Sequence, residues 1–309
     1  MKAETKKIFG FLFLLILIII CFPSSTSAAL QESETIMLSG TIAVLPQTNY
    51  LLGLSAYPRT VSGVYGNAAV DDIIAKMNTY GLTVYRMAVN SAIDATPYVQ
   101  RFLEGCNHTL ILDYYHQYPP GIMTEAQWTD TTNKALIYLS IFQDYQDRLW
   151  IEPFNERYNS DLHIRIQTFI NTIRNEGYTC NIVANKSPLG VAPNQTWANM
   201  ATIIDPLDKF WTGTHTYFDP ASGKTVANQI TEMNTAMGYG LKLFNTEMGA
   251  ELGSTLFTPT NVGYLNQYLD FLNTNGIGAV IWMYQSTQYL NLYLSLGLQF
   301  PAPLPSTGS

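Results

Sequence analysis

The sequence predicts a single-domain α/β protein of the (β/α)8 barrel class. Three observations carry this. Short apolar runs recur at intervals of roughly 30 residues, the length of a βαβ unit. Stretches with helical hydrophobic spacing lie between them. The alternation fills about 250 residues, the usual size of a closed eight-unit barrel. An open doubly wound sheet is the competing topology. No G-x-G-x-x-G or Walker pattern follows any run, so its nucleotide fingerprint is missing.

The runs read as strands are Tyr50–Ser55, Leu82–Val89, Thr109–Tyr114, Leu149–Asn155, Thr179–Ala184, Phe210–His215, Leu241–Glu247 and Gly278–Met283. Between the first two, AVDDIIAKMNTY (Ala69–Tyr80) puts Val70, Ile73, Ile74 and Met77 on one helical face, and Gly81 follows as a C-cap. Leu162–Glu176 repeats the plan with Ile164, Ile166, Phe169, Ile170 and Ile173 before Gly177, and Thr258–Asn275 ends at Gly276. Leu30–Gln47 reads as a cover for the barrel floor, so the barrel domain runs from 30 to 299. A Pro- and Ser-rich tail follows from Phe300.

The N-terminus reads as a targeting segment. Lys2, Lys6 and Lys7 precede an apolar run from Ile8 to Phe22, and small residues from Ser24 lead to a cleavage site near Ala28 or Ala29. The run is short for a membrane span, which needs about 20 apolar residues. Residues 1–29 are therefore expected to be a signal peptide, and the protein to be secreted. Membrane attachment is expected only if the segment stays uncleaved. Near the other end, Leu304–Gly308 reads LPSTG, which is similar to a sortase wall-anchoring signal but lacks its apolar and basic continuation. A linker reading stands beside it.

Composition excludes several classes. Of the 309 residues 47% are hydrophobic, enough for a sizeable core and too many for a disordered chain. The net charge is −7, and no basic run occurs after the first seven residues, so nucleic acid is not an expected partner. The 20 Tyr, 14 Phe and 5 Trp offer flat faces that suit sugar stacking and core packing alike. Trp150 and Trp211 enter strands and read as core, and Trp128 reads as helix packing. Tyr114, Tyr115 and Tyr118 read equally as packing or as outer sugar contacts. Cys106 and Cys180 flank an intervening strand. That puts them about 10 Å apart, beyond the reach of a disulfide, so both are expected as buried free thiols. The sequons at Asn107, Asn185 and Asn194 carry weight only in a glycosylating host. The four His are scattered, with no i, i+4 pair and acidic third ligand, so no metal or other cofactor is expected. No G-x-S-x-G elbow marks a serine hydrolase.

In a barrel the chemistry sits where strands end. Those positions hold Arg86; Asp113 and His116; Glu152, Asn155 and Glu156; His215 and Tyr217; Asn245 and Glu247; and Trp282. Glu156 and Glu247 close well-separated apolar strands and can flank a sugar across the barrel mouth, as glycoside hydrolysis requires. The plainer reading is a pair of helix-starting acids. Against it, each follows an apolar run and has an Asn one or two positions before it.

These segments resemble the glycoside hydrolases of clan A, most closely family 5, the cellulase-like group. DIIAKMNTYGLTVYRMAV looks like the family's first helix leading into strand two with its arginine, Arg86. WIEPFNERY is similar to strand four, with Asn155 and the acid/base at Glu156; Glu152 matches a further acidic position. THTY matches His-x-Tyr at His215 and Tyr217. FNTEMGA places the nucleophile at Glu247, and AVIWMYQ the stacking tryptophan at Trp282. The resemblance covers about residues 70–285. It departs at Arg157, where the family has Pro, and in strand three, where Asp113 and His116 stand three apart instead of two.

The resemblance implies a retaining glycosidase acting on a polysaccharide or oligosaccharide, most closely an endo-β-1,4-glucanase. The catalytic residues would be Glu156 and Glu247. Arg86, His116, Asn155, His215, Tyr217 and Trp282 would bind substrate or support the pair. Glu156 is expected to hold its proton through desolvation and the nearby charge of Glu247. β-Mannanase and β-1,3- or exo-glucanase activity are alternatives on the same barrel. A glycan-binding barrel without turnover, or a cell-surface structural protein, are the non-enzyme alternatives.

Overall fold

The computed structural model describes residues 51–59, 63–90, 92–115, 121–186, 196–218, 223–249, 258–282 and 288–301. Its strands are β1 (Leu52–Ala56), β2 (Val84–Asn90), β3 (Thr109–Tyr115), β4 (Leu149–Glu152), β5 (Ile182–Asn185), β6 (Phe210–Tyr217), β7 (Leu243–Gly249) and β8 (Gly278–Trp282). All pair in parallel, and β8 pairs with β1, so the sheet closes into a barrel in chain order. Among the described residues each strand is followed by one α-helix: α1 (Asn67–Tyr80), α2 (Thr96–Gly105), α3 (Glu125–Ile141), α4 (Leu162–Asn175), α5 (Trp197–Met200), α6 (Val226–Gly238), α7 (Pro259–Thr274) and α8 (Gln288–Ser295), with a short 3-10 helix at Gln143–Tyr145 after α3. This is the expected (β/α)8 barrel.

The side-chain period of two sorts each strand into an inward and an outward set. The outward set, with Leu54, Tyr85, Met87, Leu110 and Leu112, packs against apolar helix stripes such as Val70, Ile73, Ile74 and Met77 of α1. The inward set splits by height. Val84, Ile111, Trp150, Val183, Phe244 and Val280 form an apolar plug inside the barrel, with Trp150 and Trp211 stacked 5.4 Å apart. One step further along the strands the inward positions turn polar: Ser55, Arg86, Asp113, Glu152 and Asn185 are all buried there. A dry floor thus lies beneath a buried polar layer, and that layer faces the C-terminal end of the strands.

Element boundaries moved for local reasons. β4 stops at Glu152 because Pro153 has no N–H to continue the ladder. β5 begins only at Ile182, after Thr179 has given its N–H to the Gln146 side chain. Gly81, Gly177 and Gly276 all take positive φ just past a helix, the left-handed turn a glycine C-cap supplies. Phe300, read as the first tail residue, packs against Tyr80 with ring centroids 5.9 Å apart. Cys106 and Cys180 are free thiols, Cys180 buried and Cys106 only half-buried. The predicted signal segment, the floor stretch Leu30–Gln47, Tyr118, Asn194 and the LPSTG segment lie outside the described residues. Among the described residues, no helix is long and apolar enough to cross a membrane.

Candidate active site

Arg86 is the centre of the polar layer. β2 carries it inward and it is fully buried. Its Nε and Nη2 bond the two oxygens of Glu152 at 2.6 and 2.9 Å. Nη2 also donates to Asp113 Oδ2 and to Asn155 Oδ1, each at 2.9 Å. Nη1 donates to Ser55 Oγ at 3.1 Å and to Glu247 Oε2 at 3.0 Å. One guanidinium therefore serves three carboxylates, and the layer carries excess negative charge. A proton relieves it most readily on Asp113. Burial, opposed by Arg86 and reinforced by the charges of Glu152 and Glu247, pushes that carboxyl up to about 8. Its second oxygen, Oδ1, is buried without a partner among the described residues.

Glu247 reaches this layer through a break in register. β6 and β7 pair Thr214 with Asn245 and then His215 with Glu247, so Thr246 is the extra residue of a β-bulge. In regular alternation Glu247 would share the outer face of Asn245, whose amide bonds the hydroxyls of Thr214 and Thr216. The bulge instead turns both Thr246 and Glu247 inward. Thr246 Oγ1 donates to Asn185 Oδ1 at 2.7 Å. Glu247 is buried and held at both oxygens, Oε2 by Arg86 and Oε1 by the Tyr217 hydroxyl. Burial, then the charge of Glu247, raises the Tyr217 phenol well above its ordinary value, so it stays a donor.

Glu156 lies beyond β4 in the turn after Pro153. Its φ of +46° is in the left-handed region, a strained conformation for a side-chain-bearing residue. The turn brings Glu156 Oε1 to 2.9 Å from His215 Nδ1. His215 Nε2 lies 3.0 Å from the amide nitrogen of Asn185, which also donates to Glu152. Glu152 fixes which way the amide points, so Asn185 offers N–H to Nε2 and favours the neutral imidazole with its proton on Nδ1, facing Glu156. Burial also opposes a cation on His215. The charge of Glu247 and the bond to Glu156 outweigh it and raise the imidazole's pKa.

The expectation for Glu156 is corrected. Burial pushes its pKa up, but the hydrogen bond and charge of His215, with Arg86 and Arg157 behind, outweigh it and hold the carboxyl below its ordinary value. The partner responsible follows Glu156 by 59 positions in the chain, and no local pattern marks the contact.

The structure thus brings together Arg86, Asn155, Glu156, His215, Tyr217 and Glu247. Trp282 is level with Ser55 in the β8–β1 register, faces the mouth, and meets Tyr57 edge-on at 5.5 Å. His116 lies outside the described residues. Tyr114 is core: it is buried and its hydroxyl bonds the Thr131 carbonyl. Trp128 packs on Phe154, ring centroids 4.4 Å apart, as helix packing. Sequence reasoning missed Asn185, Ser55 and Thr246. Asn185 carried a signal, a polar residue closing an apolar strand, but drew notice only as a sequon, which its burial closes to modification. It also missed that Glu156, His215 and Glu247 each bring a donor atom within 4.8 Å of the others, a set able to hold a metal ion although no spacing announces it.

The family profile described as cellulase (glycosyl hydrolase family 5) matches residues 57–288. No curated protein matches the chain. Among solved structures, an endo-β-1,4-glucanase from Xanthomonas axonopodis pv. citri is 14% identical with a TM-score of 0.55, over 77% of this chain and 88% of that one. A mannanase catalytic domain from Streptomyces sp. SirexAA-E gives 15% and 0.57 over 82% and 83%. A β-mannanase from Thermomonospora fusca, bound to mannohexaose, gives 15% and 0.57 over 79% and 84%. At such identities these likenesses speak for the fold. The profile spans the strand ends that carry Arg86, Glu156, His215 and Glu247, and it shows that this chain belongs to glycosyl hydrolase family 5.

Proposed function

We propose that this glycoside hydrolase is a secreted, retaining, endo-acting β-1,4-glucanase. One observation carries the mechanism: an oxygen of Glu156 and an oxygen of Glu247 lie within 4.8 Å of each other. Direct displacement by a carboxylate needs groups about 5 to 5.5 Å apart, whereas an inverting pair leaves about 6.5 to 9.5 Å for a water. The spacing favours retention.

Glu247 is the nucleophile. Arg86 and Tyr217 each hold one of its oxygens, which favours the anion and fixes its line of attack. Glu156 is the acid/base. It protonates the leaving oxygen as Glu247 bonds the anomeric carbon, then takes a proton from the water that cleaves the glycosyl ester. At rest its depressed pKa favours the carboxylate, which accepts the Nδ1–H of His215; the proton it donates is taken up from solvent, to which Glu156 is partly open. A sugar seated over the mouth excludes water from the partly exposed Glu156, and that desolvation drives the proton onto it. Arg86 takes the Oδ1 of Asn155, which leaves the Asn155 amide N–H groups to meet a sugar hydroxyl. Trp282 supplies the stacking face.

β-1,4-Mannan is the second reading, favoured by the mannan-degrading neighbours among the solved structures. A panel of β-glucan, β-mannan and β-1,3-glucan with reducing-end detection separates the two. Glu247→Gln is expected to abolish release from every substrate with an unchanged circular dichroism spectrum; full activity would falsify the assignment. For secretion, N-terminal sequencing of protein from culture medium is expected to begin near residue 29 or 30.

A further inference from the structure

The sequence announces no metal site, and closure of the barrel assembles one. Glu156 follows β4, His215 lies in β6 and Glu247 in β7, and one donor atom from each lies within 4.8 Å of the other two. His215 stands between the carboxylates. Its Nδ1 is 2.9 Å from Glu156 Oε1, and its Nε2 is 3.9 Å from Glu247 Oε2. One imidazole nitrogen and two carboxylate oxygens match the donors of an open zinc(II) site, in which three protein ligands leave a position for water. Calcium and magnesium prefer oxygen donors alone and fit the set poorly.

Charge favours an ion there. Asp113, Glu152, Glu156 and Glu247 are faced by two guanidiniums, Arg86 and Arg157. The cluster stays negative even with a proton on Asp113. Its carboxylates are also aimed in advance. Arg86 and Tyr217 hold Glu247, and each of its oxygens keeps a lone pair for a metal. The Glu156 side chain is 19% exposed, which gives an ion its way in from the mouth.

One neighbour opposes the ion. The Asn185 amide nitrogen lies 3.0 Å from His215 Nε2, and Glu152 and Thr246 fix its direction. A metal on Nε2 has to displace that N–H. A metal on Nδ1 sends the ring proton to Nε2, where it meets the amide N–H donor to donor. Asn185 therefore weakens coordination at either nitrogen.

We infer that Glu156, His215 and Glu247 form a reversible zinc(II) site, that an ion held there shuts the catalytic pair, and that the Asn185 amide keeps its affinity low. The ion competes with the glycan, because it takes the carboxylates that attack and protonate. This effect on turnover rests on the glycosidase reading of the two glutamates; the binding of zinc does not.

The test is calorimetric titration of zinc chloride into the full chain freed of metal by a chelator, with magnesium and calcium chloride as controls. One zinc per chain is expected, and no saturable heat from the control ions. Loss of a partner behind a ligating group costs about 10- to 100-fold in affinity, so loss of a ligand itself in Glu156→Gln, His215→Ala or Glu247→Gln is expected to weaken binding by at least about tenfold. Asn185→Ala is expected to tighten it about tenfold, the equivalent of one hydrogen bond, and poor folding does not produce a gain. Thermal melting of each variant checks the fold. No zinc bound by the wild type, or binding unchanged in all three ligand variants, overturns the site. Weaker binding in Asn185→Ala overturns the role given to its amide. During hydrolysis of β-glucan or β-mannan, zinc is expected to raise KM at constant kcat, with full recovery on adding chelator. Turnover indifferent to bound zinc overturns the inhibition while leaving the glycosidase intact. Zinc held by these three residues in a protein that cleaves no glycan keeps the site and overturns the catalytic reading instead.

Discussion

Glu247 stands opposite His215 across the β6–β7 ladder because Thr246 is an extra residue in β7. The same bulge gives Asn185 its acceptor-side partner, the Thr246 hydroxyl. Asn185 in turn bonds Glu152 and His215, so one irregular residue ties the strand of Glu247 to the partner of Glu156. Thr246→Val keeps the shape and removes the hydroxyl, leaving Asn185 Oδ1 buried and unpaired. The expected cost is about 1–3 kcal/mol of stability. A fall in kcat larger than any change in KM is also expected, since substrate contacts are unaltered. Chemical denaturation and steady-state kinetics check both, and wild-type values for both would remove the bulge's second role.

Glu156 and Glu247 differ in what a good leaving group can replace. A dinitrophenolate leaves without a proton, so Glu156→Gln is expected to lose about 10²–10⁴-fold on polysaccharide yet keep a rapid first turnover on a dinitrophenyl β-glycoside. Glu247→Gln is expected to lose both. Stopped-flow release of the phenolate separates the cases. A Glu156→Gln enzyme equally impaired on both substrates would point to a positioning role.

Tyr217 offers a finer probe of the role proposed for Glu247. Tyr217→Phe removes the donor to Glu247 Oε1 and leaves Arg86 on Oε2. Loss of one oriented donor at a charged reacting group costs roughly 10²–10³ in kcat. The expected result is a fall of that order in kcat, with the melting temperature little changed. A variant whose kcat stays within twofold of wild type would show that Arg86 alone orients the carboxylate.

The barrel was legible in the sequence because its period is coarse. Eight apolar runs separated by amphipathic helices survive errors of two residues at any end, and the helix ends at Gly81, Gly177 and Gly276 were marked by glycine's freedom at positive φ. Residues at strand ends were legible for the same reason. Arg86, Tyr217 and Trp282 needed only a strand and its direction. Two things were hidden. The bulge at Thr246 follows from pairing between β6 and β7, and nothing in FNTEMGA alone breaks alternation. The direction of Glu156's pKa depends on His215, brought near by barrel closure and not by chain proximity.

Gly213 shows how sequence and site are linked through space. It stands beside Asn185 in the β5–β6 register, and a Cβ there would fall 2.0 Å from Asn185 Oδ1. The glycine is the room in which the amide lies. Gly213→Ala is expected to displace Asn185 from Glu152 and His215, with a stability loss of about 1–3 kcal/mol from overpacking. The pH profile distinguishes this from a purely structural defect. Freed from the Asn185 amide, His215 takes up its second proton more readily, which strengthens the pull on the Glu156 carboxylate. A basic limb of kcat/KM shifted downward relative to wild type is expected, since Glu156 loses its proton more readily, and an unshifted limb with reduced stability would limit Gly213 to packing.

Asp113 makes the pH dependence of stability testable with its sign. Its folded-state pKa, about 8, lies above the ordinary value of 3.8 that the unfolded chain restores. Between these values the native state binds a proton that the unfolded state does not. The contribution from Asp113 is therefore fully present below about pH 4 and is lost as pH rises towards 8, at up to about 1.4 kcal/mol per unit for a whole proton. Asp113→Asn keeps the shape and a carbonyl for Arg86 Nη2 while removing the titration. The difference in unfolding free energy, variant minus wild type, is expected to grow in the variant's favour from pH 5 to pH 8. Nearby carboxylates titrate in both proteins and largely cancel in that difference. A flat difference across the range would mean that Asp113 is ionised beside Arg86 throughout, and that the excess negative charge of the layer is relieved elsewhere.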